Sequence, residues 1–175
     1  MELQNDRSES CVDPGLVQQA QTIVDAFRRR RLTAVTAESC TGGLIAALLS
    51  HAAGAGDCLH GGFVVYTKAH KAAALGVDAA LLDRQGSVNP EVAAQLARGA
   101  LERSPADLAL AVTGVVGPEP DEDGNPPGLV YFASARRGGV AGVTEERFRE
   151  DTPDCVRRAV IERAFALLLQ AAGEP

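Results

Sequence analysis

The sequence predicts an α/β fold: a single layered α/β/α domain around a mixed sheet. Three observations lead there. Helical and strand patterns alternate along the chain, and several strand candidates are the short apolar runs of a buried sheet. Two late strands join through Gly138-Gly139, a hairpin signal that adds antiparallel pairing to the parallel part. A chain of 175 residues suits one such domain. At this length folding buries roughly 70% of the unfolded surface, so a core forms without disulfides.

Residues 1–13 read as a mobile tail and 14–175 as the domain. Pro14 opens a helix at its first turn, and Leu16, Ala20, Ile23 and Phe27 mark its apolar face. The run Arg28 to Arg31 is read as a solvated helix end, where cations are favoured by the dipole. Leu32 to Thr36 is a short strand, Thr41 to Ser50 a helix, Phe63 to Tyr66 a buried strand and Lys68 to Ala74 a helix. Pro90 to Arg103 is a stronger helix, with Val92, Leu96 and Ala100 on one face. Leu108 to Thr113 is an apolar strand. Gly117 to Gly128 is a loop rich in proline and acid, long enough to suggest a function. Leu129 to Ala135 and Val140 to Phe148 form the hairpin. Pro153 to Gln170 closes the chain as a helix with Val156, Val160, Ala164 and Leu167 toward the core.

Composition narrows the function classes. Lys+Arg is 17 against 23 Asp+Glu, a net charge of −6, which argues against broad nucleic-acid binding. Tryptophan is absent and aromatics are 4%, so no base-stacking platform is visible. No apolar run is long enough to span a bilayer, and the first residues carry no apolar signal core. The expectation is a soluble cytoplasmic protein that binds neither nucleic acid nor membrane. Cys11, Cys40, Cys58 and Cys155 lack zinc or thioredoxin spacing, and His51, His60 and His70 form no metal motif. No metal and no cofactor are expected.

Three segments carry chemistry. In Thr36 to Gly43 a strand feeds a tight polar turn and then a helix. This lifts one side chain to the end of a sheet and aims free helix N–H groups at one point, a setting for anions and developing oxyanions. The same residues also read as plain capping, with Ser39 or Thr41 as N-cap. In Gly61 to Lys71 a strand ends at Tyr66, and a helix carries Lys68 and Lys71 three residues apart on its surface. A lysine buried beside a serine loses its proton more readily and acts as a base; otherwise both are surface charges. In Ala111 to Pro118 a buried strand breaks into a glycine-containing loop, the kind of strand end that lines α/β ligand clefts.

Together these segments resemble the CinA C-terminal domain family, the nicotinamide-nucleotide amidases. The family pattern A-E-S-C-T-G-G is intact at Ala37 to Gly43. The pattern that runs from a Gly pair through V-x-Y to N-x-x-K and L-G-V is matched by Gly61-Gly62, Val64, Tyr66-Thr67, Lys71 and Leu75-Gly76-Val77, with Lys68 where Asn is usual. Gln85 to Asn89 followed by Glu91-Val92-Ala93 is similar to H-G-A-V-S with E-V-A, Asn89 standing for the serine. Ala111 to Pro118 is similar to the A-V-T-G-I-A-G-P pattern, with Val115-Val116 for Ile-Ala. The likeness runs from about residue 16 to 170.

The resemblance implies a layered α/β domain that hydrolyses the carboxamide of nicotinamide mononucleotide to nicotinate mononucleotide and ammonia, without metal. It implies Ser39 as nucleophile, Lys71 as base and Tyr66 as an aid to the proton relay or to holding Lys71. Glu38, Cys40, Thr41, Gly42, Gly43, Thr113, Gly114 and Gly117 would surround the substrate. It also implies a homo-oligomer acting on a small-molecule nucleotide. A rival arrangement puts Cys40 as nucleophile with Glu38 and a lysine; another puts His70 as base. An amidase for a different amide and a non-catalytic, regulatory relative are the alternative functions.

Some family positions differ. Asn125 stands where a lysine is expected in the long loop, and Glu119, Asp121, Glu122 and Asp123 make that loop acidic, which would repel a phosphate beneath it. The stretch Phe148 to Pro153 lacks an arginine where the family often has one, leaving Arg149 or Arg157 to compensate.

Overall fold

A computed structural model describes residues 13–173. The expected tail lies outside the described residues, apart from Asp13. Asp13 accepts the Leu16 N–H and so caps the first helix, α1 (Pro14–Arg30). There follow β1 (Ala34–Glu38), α2 (Leu44–His51), β2 (Leu59–Val64), α3 (Lys68–Leu75), α4 (Ala79–Gln85) and α5 (Pro90–Glu102). The chain continues through β3 (Leu108–Gly114), β4 (Leu129–Arg136), β5 (Gly142–Arg147) and α6 (Pro153–Ala172).

The described strands make one sheet in the order β2-β1-β3-β4-β5. β1 pairs parallel with both β2 and β3, whereas β4 is antiparallel to β3 and β5. The mixed sheet read from the sequence is thus present. From β1 the chain moves outward to β2 and then crosses back past β1 to β3. The crevice at the carboxyl ends of β1 and β3 is therefore a topological switch point, where open α/β sheets take ligands.

Side-chain alternation builds the layers. Leu108, Leu110 and Val112 of β3 face the cluster formed with α1, α2 and α6, while Ala109 and Ala111 face the cluster formed with α3, α4 and α5. The apolar faces read for α1, α5 and α6 are buried: Phe27, Val92, Leu96, Ala100, Val160 and Ala164 expose almost nothing. Burial of each large side chain is worth roughly 1.5–3 kcal/mol.

Several elements differ from expectation; β1 runs Ala34–Glu38 rather than Leu32 to Thr36. α2 starts at Leu44 rather than Thr41, because Gly42 (φ +62°) and Gly43 (φ +94°) take left-handed conformations that a helix excludes. β2 ends at Val64, before Tyr66, since the next carbonyls turn toward a lysine. α4, between the Asp78 cap and Gly86, is too short to leave a clear period in the sequence.

Candidate active site

The turn after β1 is organised by a carboxylate. Glu38 exposes no surface. Its side chain accepts from the Thr36 hydroxyl (2.9 Å), the Thr41 hydroxyl (2.7 Å) and the N–H groups of Ile45 (3.0 Å) and Ala46 (2.8 Å). Strand alternation puts Glu38 on the same sheet face as Ala34 and Thr36, the face that α2 covers. This corrects one expectation. The first-turn donors of α2 are not free for a ligand, because Glu38 already satisfies them. Glu38 and Thr41 bond within the turn and do not line the cleft.

Ser39 follows directly. Its N–H continues the ladder to the Val112 carbonyl (3.0 Å), which fixes the side chain at the end of the sheet. Lys71, on α3, exposes no surface and places Nζ 2.9 Å from Ser39 Oγ. The same nitrogen donates to the carbonyls of Val65 (2.9 Å) and Tyr66 (3.0 Å). Burial pushes the Lys71 ammonium down to about 8. Tyr66 holds Lys71 through its main chain; the residue is 72% exposed and lines the cleft.

Cys40 lines the same cleft as Ser39, although alternation on an extended strand would separate them; the turn brings both to one wall. Burial pushes the Cys40 thiol up to about 12, so at neutral pH it carries its proton. His70 is exposed, and its N–H is used by the Thr67 cap.

The cleft encloses about 440 Å³ and lies over the ends of β1 and β3. Gly114 and Gly117 line it, as expected. Thr113 does not: it exposes no surface and its hydroxyl donates to the Ser87 carbonyl (2.8 Å), so it positions the Ser87 segment. Gly42 and Gly43 shape the turn beside the cleft. A Cβ on Gly43 would come within 2.9 Å of Val64, which explains a glycine there. The sequence reading missed Thr67, Lys68, Ser87, Val88, Val115, Val116, Asp121 and Glu122 as walls. Ser87 and Val88 sit in a motif already noted, which is the signal that would have found them.

The CinA C-terminal domain model matches residues 17–172. The chain belongs to this family. Among relatives, the nicotinamide-nucleotide amidohydrolase PncC of Escherichia coli K12 is 35% identical over 158 residues, covering 90% of this chain and 95% of that protein. A CinA-like protein of Geobacter sulfurreducens is 47% identical over 115 residues, but those are 66% of this chain and 28% of that longer protein. The crystal structure of the competence/damage inducible protein CihA from Agrobacterium tumefaciens superposes with a TM-score of 0.87 at 37% identity, covering 95% of this chain and all of that one. A CinA superfamily protein from E. coli gives 0.84 at 32% identity over 98% of this chain and 99% of that one.

Within this CinA domain two of the departures from the family pattern, Lys68 and the acidic loop, meet. Lys68 Nζ contacts Asp123 Oδ1 (2.6 Å) and Glu122 Oε1 (3.2 Å) of the long loop. Asn125 gives its side-chain amide to Asp121 (2.9 Å) and shapes that loop from within. Asn89 caps α5 by accepting the Val92 N–H. Arg149 lines an adjoining cavity that shares Val116 and Gly117 with the cleft, and Arg157 pairs with Asp154.

Proposed function

We propose that this CinA-family chain is an amidohydrolase that removes the carboxamide nitrogen of a nicotinamide nucleotide, with Ser39 as nucleophile and Lys71 as general base. The observation that carries this is the 2.9 Å contact between Ser39 Oγ and a wholly buried Lys71 Nζ. In its neutral form the lysine amine has two N–H donors and one lone pair. The carbonyls of Val65 and Tyr66 take the donors, and the lone pair then faces the Ser39 hydroxyl.

Lys71 accepts the hydroxyl proton as Ser39 Oγ attacks the amide carbon, and it returns that proton to the departing nitrogen, which leaves as ammonia. Water then attacks the Ser39 ester, with Lys71 again as base, and the acid is released. The turn's own bonds use the N–H groups of Gly42, Leu44, Ile45 and Ala46, so this reading takes its oxyanion donors from those of Cys40, Thr41 and Gly43. Likeness to the E. coli amidohydrolase over nearly its full length supports the substrate class.

Self-association belongs to the same proposal. Leu44, Val64 and Tyr66 are exposed around the edge strand β2, and light scattering of the purified chain is expected to give more than one copy per particle. The functional test is incubation with nicotinamide mononucleotide and quantification of both products. Equal amounts of ammonia and nicotinate mononucleotide are expected. A folded chain that produces neither would refute the reading.

A further inference from the structure

The long loop places a carboxylate where a ligand anion would sit. Asp123 bridges two donors, taking Lys68 Nζ on Oδ1 at 2.6 Å and the Ser87 N–H on Oδ2 at 3.2 Å. We propose that Lys68 Nζ and the Ser87 N–H form an anion subsite at the mouth of the cleft, taking the sugar-phosphate group of the substrate and occupied by Asp123 until that group displaces it. The identity of the anion rests on the nucleotide-amidase reading above.

Both donors are held from outside the loop. Thr67 caps α3, which fixes Lys68 at its first residue, and Thr113 holds the Ser87 carbonyl so that the neighbouring N–H faces Asp123. The approach is close: Gly86 has φ +74°, and a Cβ there would come within 2.4 Å of Asp123 Oδ2. The loop is itself a preformed turn. Asp121 Oδ1 accepts the N–H groups of Asp123 (3.0 Å) and Asn125 (2.8 Å), which fixes the turn from which Asp123 reaches Lys68 and Ser87.

Lys68 is the one cationic side chain among the described residues lining this cleft, which Ser39 also lines. An anion bound at Lys68 therefore sits in the same space as the nucleophile. Glu122, the second carboxylate on Lys68, is 74% exposed, and ion pairs of that kind are weak and exchangeable. A phosphate monoester brings nearly two negative charges against the single charge of each carboxylate.

Calorimetric titration of the full chain with ribose 5-phosphate, ribose and inorganic phosphate tests this without any amide chemistry. Asp123→Asn is expected to bind ribose 5-phosphate about tenfold more tightly than the parent, and Lys68→Met at least about tenfold more weakly. Glu122→Gln, which leaves the Asp123 bridge in place, is expected to tighten binding in the same direction, and melting curves check that each variant folds. An Asp123→Asn variant that binds no better, a Lys68→Met variant that binds as well as the parent, or binding lost in Arg149→Ala instead would overturn the subsite. Inorganic phosphate binding as tightly as ribose 5-phosphate would overturn its assignment to a sugar phosphate. If these binding results hold but nicotinamide mononucleotide is not hydrolysed, the amidase reading fails and the subsite stands. If it is hydrolysed and Lys68→Met leaves KM unaltered, the subsite fails and the reading stands.

Discussion

Lys71 Nζ lies 2.9 Å from Ser39 Oγ, and its remaining bonds go to the carbonyls of Val65 and Tyr66 rather than to a carboxylate. A buried ammonium with no anionic partner is costly, and desolvation lowers its proton affinity. That is the condition under which a lysine serves as a base near neutrality.

The first consequence concerns pH. In the proposed mechanism Lys71 abstracts a proton only in its neutral form, which gains population as pH rises toward about 8, well below an ordinary lysine. The value of kcat/KM for the amide should rise about tenfold per pH unit below that point and level off above it. A rising limb that continues to about pH 10 would mean a lysine of ordinary proton affinity and would contradict Lys71 as the base.

Removing the base should cost rate. Lys71→Met keeps much of the side-chain volume and is expected to lower kcat by about 10²–10⁴-fold while abolishing the limb near pH 8. Steady-state rates across pH check both. Retention of the limb would assign it to another group.

Cys40 gives a separate discrimination. Its thiol is pushed up to about 12 and is buried, whereas Cys155 is exposed. Iodoacetamide at neutral pH should modify Cys155 and leave amide turnover intact. Inactivation that Cys40→Ala prevents would move the nucleophile from Ser39 to Cys40.

Glu38 is expected to matter for stability more than for binding. Replacing it by Gln turns an acceptor of four hydrogen bonds into a group whose amide must face donors. Denaturant unfolding should show a loss of about 2–3 kcal/mol. A variant of parental stability with a raised KM would return Glu38 to the substrate's surroundings.

How much of this was legible in the sequence follows from range. The alternation of leucine with alanine in Leu108 to Val112 gives a strand covered on both faces, and the structure has it so. The Gly138-Gly139 hairpin and the helix faces are equally local signals. α4 escaped because seven residues hold fewer than two helical periods. The Glu38 network escaped because its partners Ile45 and Ala46 lie beyond a glycine turn whose path no propensity gives. The contact between Ser39 and Lys71 spans 32 residues, so spacing alone left capping and surface charge as open readings, and only the family resemblance paired them. The acidic loop was legible as long and unusual. Its direction was not, because that depends on where Lys68 and Ser87 stand after folding.

The most direct measurement is ammonia release from nicotinamide mononucleotide by Ser39→Ala beside the parent chain, with melting curves to show equal folding. A fall of about 10³-fold or more is expected, since only binding and oxyanion donors remain once the nucleophile is gone. Turnover within tenfold of the parent would contradict a serine mechanism at this site.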